Sequence, residues 1–152
     1  TGYFEIYGVW LMASPSIFTT EQVLVQLMLT TAAADGPVSD VEIDRIERLI
    51  GFLPVFANLS ADQMPLMLDQ FSALMSDDHG LDALLETAAE TLPENLYETA
   101  YALAVEIAAA DLAVQPEEIR FLELLRDTLR LEKLAAAAIE RGARARFAPP
   151  PS

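Results

Sequence analysis

The sequence predicts an all-α fold: a single-domain bundle of about seven helices with an internal pseudo-twofold helix-loop-helix repeat. Three observations carry that prediction. Apolar residues recur at spacings of three and four, the signature of a helix with one buried face, and alternation at period two is nowhere sustained for long, so no convincing strand is expected. The phrase AAADGPVSDVEI, which holds Asp35, returns later as AAADLAVQPEEI, which holds Asp111 in the same slot. A chain of 152 residues is long enough for one core and too short for two comfortable domains.

The elements follow from local signals. A first helix is expected from about Thr20 to Ala34, with Thr19 and Gln22 at capping-box spacing. A second runs from about Asp40 to Ile50, capped by Ser39 with Glu42 and ended by Gly51. After a loop containing Pro54, Ser60 with Gln63 opens a third helix to about Met75. The stretch DDHG breaks the chain before a fourth helix from about Leu81 to Thr91. Pro93 occupies a tolerated first-turn position and opens a fifth helix to about Ala110; Pro116 opens a sixth, to about Leu129. The seventh covers about Glu132 to Arg146. The domain organisation expected is an N-terminal extension over 1–18, a helical domain over 19–147 and a disordered tail over 148–152. Because the chain opens on Thr1 and the stretch from Met12 reads as an ordinary N-terminus, residues 1–11 are expected to be upstream or added sequence.

The repeat is detailed. A constant offset pairs Leu27 with Leu103, Ala32 with Ala108, Asp35 with Asp111, Val38 with Val114, Glu42 with Glu118 and Ile43 with Ile119. The first and second helices therefore correspond to the fifth and sixth, and equivalent apolar faces related in this way can pack on each other.

Composition narrows the function. Asp and Glu number 24 against nine Lys and Arg, a net charge of -15. Such a field repels phosphate backbones and anionic membrane surfaces and favours cations or a basic partner, so nucleic acid is not an expected ligand. The absence of cysteine excludes disulfides, thiolate metal sites and Cys nucleophiles, and fits a reducing cytoplasm. The longest uncharged apolar stretch, Ile6 to Thr20, is interrupted by Pro15 and falls short of the roughly 20 residues a membrane helix needs. Membrane insertion is not expected. The single histidine, His79, reads as a surface loop residue, so no nucleophile-His-acid set can be assembled and no enzyme or organic cofactor is expected.

The repeated acids have two readings. Glu42 and Glu118 lie in first turns, where they cap the backbone and complement the helix dipole, and Asp35 before Gly36 is a routine turn residue. Yet an aspartate at a helix C-terminus meets the negative end of the dipole, at a cost of about 0.3 to 1 kcal/mol, and the chain does this twice. If the pseudo-twofold brings the loops together, Asp35, Glu42, Asp111 and Glu118 form a carboxylate cluster that needs protons or a cation. All-oxygen ligands suit Ca²⁺, Mg²⁺ or Mn²⁺.

The stretches AAADGPVSDVEIDRI and YALAVEIAAADLAVQPEEIRFLELLRDTL resemble the TerB-like tellurite-resistance family, and the resemblance runs from about Thr20 to Phe147. It implies an all-helical fold with an internal two-fold repeat and a metal site formed by acids of the two Asp-containing loops, which on this chain are Asp35, Glu42, Asp111 and Glu118. It also implies a role in tellurite resistance and stress responses beside other Ter proteins, without catalysis. The chain departs from the pattern at Leu112, where the family commonly has Gly, and at Gln115, where Ser or Thr would cap better; the second half-site is expected to be weaker or reshaped. The expectation is thus a cytoplasmic, non-catalytic scaffold with a divalent-metal site. The alternatives are a pure protein-interaction module and, third, a metal-assisted hydrolase. Internal symmetry can substitute for a dimer, so the sequence leaves the oligomeric state open.

Three further readings concern single residues and patches. Glu106, enclosed by apolar residues, reads as a solvent-facing stripe or an ordinary ion pair ahead of a partner to the acidic site. The five Met are read as core filler. The stretch RGARAR reads as charge balance ahead of a docking patch.

Overall fold

The computed structural model describes residues 3–6, 9–12, 18–111 and 114–152, the first two stretches by their backbone alone. Among the described residues there are seven α-helices: α1 Thr20–Ala32, α2 Asp40–Phe52, α3 Met64–Met75, α4 Gly80–Thr91, α5 Tyr97–Ala110, α6 Pro116–Thr128 and α7 Lys133–Arg146. The all-helical domain expected from the apolar spacing is present.

Its centre is the pair α1 and α5. Every residue from Val23 to Ala32 of α1 is buried, as are Ala100, Tyr101 and Leu103 through Ala108 of α5. A helix apolar on all sides belongs inside a bundle. Accordingly α1 packs against α2, α3, α4, α5 and α6, while α5 also meets α2, α6 and α7. The outer helices bury single stripes, such as Ile46 and Ile50 of α2 or Phe121 and Leu125 of α6. The buried side-chain donors of α1 find backbone acceptors. Thr30 and Thr31 donate back to the carbonyls of Gln26 and Leu27, at 2.8 and 2.9 Å. Gln26 Nε2 donates across to the carbonyl of Met67, 3.0 Å away on α3.

Several expectations are corrected in detail. A strand pair exists after all: β1 Tyr3–Ile6 and β2 Val9–Met12 are antiparallel, with Tyr3 opposite Met12 and Ile6 opposite Val9. The stretches YFEI and VWLM are rich in aromatic and β-branched residues, which favour strands, and they are too short for alternation to register over a long window. Gly51 does not end α2, which continues through Phe52; Leu53 is extended (ψ 139°) because the following Pro54 disfavours helical backbone. Ser60 accepts from Asp62 rather than Gln63 and caps a 3₁₀ turn, Ala61–Gln63, that precedes α3. Pro93 likewise opens a 3₁₀ turn, Glu94–Leu96, and α5 starts at Tyr97. The chain breaks at DDHG as expected, and its glycine is already the first residue of α4. An added Cβ at Gly80 would stand 1.9 Å from the Leu74 carbonyl oxygen, so close approach of α3 and α4 explains this residue.

Candidate metal centre

The acids come from the chain after α1, the end of α5 and the start of α6. α1 ends at Ala32, and the chain leaves through Ala33 to Gly36 before Ser39 caps α2. Gly36 has φ +149°, a backbone conformation that side-chain-bearing residues rarely adopt. In the second turn α5 ends at Ala110, Asp111 is its extended C-cap, and Gln115 with Pro116 begins α6. Of the two expected departures from the family pattern, Leu112 lies outside the described residues and Gln115 is the N-cap of α6, in a capping box with Glu118.

The structure brings three of the four predicted acids together. Asp35, Asp111 and Glu118 each present an oxygen within 4.8 Å of the others. They form a gradient of exposure: Asp35 is exposed, Asp111 half-buried, and Glu118 buried at 3%. Glu42 is not a member of this trio. Its Oε1 accepts from the backbone N–H of Ser39 at 3.0 Å and from Ser39 Oγ at 2.9 Å, while Ser39 Oγ accepts from the Glu42 N–H at 3.2 Å. This is a complete capping box made through Oε1, and Glu42 stands apart from the three acids whose oxygens converge.

Glu118 combines both roles. Its Oε1 accepts from the Gln115 N–H at 3.2 Å, so it caps α6. A carboxylate has about four acceptor sites, which leaves capacity for a cation. Its pKa is raised from 4.5 to about 7, first by burial and then by the negative charges of Asp111, Asp35 and Glu42, against the lowering effect of the Gln115 N–H. A buried carboxylate facing two more carboxylates is stabilised by either a proton or a metal ion. The donor set passes a simple test of fit for a hard cation. It is all oxygen, and its spread lies within the roughly 5 Å that two oxygens span across a Ca²⁺ ion.

Beside the trio lies a feature that one-dimensional reading missed. A cavity of about 460 Å³ is lined by Ala33 and Ala34 at the end of α1, by Leu81 of α4, and by Pro116 and Phe121 of α6, among others. Its signal in the sequence was the run of small residues before Asp35, which leaves room at that helix end. The larger cavity, about 690 Å³ and lined by Tyr97, Arg130 and Glu132 among others, contains no member of the trio. His79 is exposed, and its N–H donates to Asp77 Oδ1 at 2.8 Å, in keeping with a surface role.

The fold and the acidic turns define a small helical-bundle protein; among the described residues no helix is long and apolar enough to cross a membrane. Residues 21–141 match the family model described as Tellurite resistance protein TerB. The chain belongs to the TerB family. No curated protein and no solved structure shows significant similarity to it.

Proposed function

We propose that this TerB-family chain is a non-catalytic, tellurite-resistance and stress-response protein that binds a divalent cation through its repeated acidic turns and works as a scaffold in the cytoplasm. The observation that carries the reading is the convergence of Asp35, Asp111 and Glu118, with Glu118 buried among like charges. Ca²⁺, Mg²⁺ or Mn²⁺ is the matching cation class. Asp35 and Asp111 are the ligands contributed by the turns, Glu118 is the buried anchor, and Glu42 contributes negative field while capping α2. Bound metal would neutralise the trio and tie the ends of α1 and α5 to the start of α6.

The internal repeat belongs to the same proposal. Shifting the bounds of α2, Asp40–Phe52, by the offset between Asp35 and Asp111 yields the bounds of α6, Pro116–Thr128, which is what a repeated unit requires. Other Ter-type proteins are the partners the family suggests.

Isothermal titration of chelator-treated protein with Ca²⁺, Mg²⁺ and Mn²⁺ tests the metal reading, beside an Asp35→Asn, Asp111→Asn double variant. Saturable heat that the variant loses supports it; no heat with any of the three ions removes it. A second reading draws on the observed caps. Glu42 and Glu118 each bond the backbone N–H at the start of their own helix, so the acids also serve a protein-interaction module that needs no ion. That reading predicts a folded, partner-competent double variant.

A further inference from the structure

Away from the carboxylate trio, Arg45, Arg48, Leu49 and Phe52 of α2 face Glu106 of α5 and Phe147 across a cleft of about 290 Å³. Three features set this surface apart. Arg45 and Arg48 enter no ion pair among the described residues, whereas Arg120 and Arg126 are engaged with carboxylates near them. Glu106, the acid in the cleft, is already paired with Arg146, whose guanidinium also lies 5.6 Å from the centre of the Phe147 ring. Phe52 is 82% exposed, although burying such a ring is favourable.

The local balance is therefore three guanidinium groups against one carboxylate, in a chain whose net charge is -15. Arginine and aromatic side chains are the residues that dominate binding energy at protein interfaces. The guanidinium fork pairs with a carboxylate through two parallel hydrogen bonds, and an exposed ring beside it supplies apolar contact. We propose that this cleft docks an acidic peptide segment of a partner protein, one that carries an aromatic or large aliphatic side chain next to its carboxylates.

The shape of the field favours a peptide over other anions. A nucleic acid or an anionic membrane is negative over a large area and would meet the acidic surface surrounding the cleft. A short segment meets only the cleft, because charges farther than about 8 Å are largely screened at physiological ionic strength. A lone phosphate would use the guanidinium groups and leave Phe52 exposed. The cleft shares no lining residue with the carboxylate trio, so the two sites can be tested by separate substitutions.

The test is fluorescence anisotropy of a short labelled peptide alternating Asp or Glu with Phe or Leu, titrated with the full chain. Control peptides carry Lys in place of the acids, or Ala in place of the apolar residues. Saturable binding is expected, weakened about tenfold or more by Arg45→Glu with Arg48→Glu, and separately weakened by Phe52→Ser. All these side chains lie outside the buried core, and unchanged circular dichroism melts establish that the variants fold. The proposal is overturned by no binding, or by binding that the variants retain. Equal binding of the Lys peptide would also overturn it, as would displacement by inorganic phosphate alone or a preference for vesicles of anionic lipid. Concentration-dependent self-association abolished by the arginine variants would replace it with a second copy of this chain as the occupant.

Discussion

Arg146, in the last turn of α7, donates to the carboxylate of Glu106 on α5, closing one edge of the bundle across 40 residues of sequence. The two ends of the bond differ in surroundings: the Glu106 side chain is 12% exposed and that of Arg146 65%. Removing the arginine strands a mostly buried charge, but water reaches the vacated side and screens it. Arg146→Ala is therefore expected to cost about 1 kcal/mol. That corresponds to a melting-temperature loss of about 2 to 4 °C for a chain of this size, read by calorimetry. Glu106→Gln in the same background should recover part of the loss, because the stranded charge is gone.

Gly80 makes a sharper prediction. A methyl group there meets the Leu74 carbonyl oxygen at 1.9 Å and its carbon at 2.8 Å, both backbone atoms of the preceding helix. The α3–α4 connection must move, so Gly80→Ala should destabilise by about 2 to 3 kcal/mol in chemical denaturation. Gly142 is the control. It lies in α7 with nothing within 4 Å of an added Cβ, so Gly142→Ala should stabilise by about 0.5 to 1 kcal/mol through helix propensity.

The contrast between these glycines indicates what could be read from the sequence. Helix positions were legible because sets such as Ile43, Ile46 and Ile50, or Leu122, Leu125 and Leu129, recur at spacings of three and four, and because Ser39 with Glu42 is a cap whatever the tertiary structure does. The convergence of Asp35, Asp111 and Glu118 was legible through the repeat. The diversion of Glu42 into its own cap was less so, since its spacing to Ser39 serves both a cap and a ligand. The constraint at Gly80 was not legible, because it comes from the approach of Leu74 in space. Arg45, Arg48 and Phe52 form a cleft with Glu106 and Phe147 from three separated segments, and no local pattern marks such a meeting.

Tyr101 supplies the alkaline limb of stability. Its hydroxyl donates to Glu140 Oε2 at 3.0 Å, and burial, followed by that bond and the negative charge of Glu140, pushes its pKa from 10.0 to about 12. A folded-state pKa above the unfolded one contributes stability that is intact below pH 10 and is lost as pH rises through 12. The loss should amount to about 3 kcal/mol. Tyr101→Phe removes that pH dependence, so wild-type and variant denaturation curves should converge with rising pH. Ultraviolet titration should show one tyrosine ionising well after the exposed ones.

Glu118 is the most informative residue of the acidic centre, because a proton, an amide or a metal ion can each relieve it. With chelator present, its folded-state value of about 7 exceeds the ordinary 4.5, so its favourable contribution is complete below about pH 4.5 and disappears as pH rises through 7. Glu118→Gln keeps an oxygen to accept from the Gln115 N–H and carries no charge beside Asp35 and Asp111. The variant should match wild type at pH 4.5 and exceed it at pH 8, by at most about 3 kcal/mol. Excess Ca²⁺ at pH 8 should invert that order, since an ion bound to the native state stabilises wild type in proportion to its affinity and the amide supplies a poorer ligand. Melting curves at two pH values, with chelator and with Ca²⁺, separate the cases. If Glu118→Gln stays more stable at pH 8 whatever the cation, the trio is a strained helix cap, and the metal centre should be abandoned in favour of the interaction-module reading.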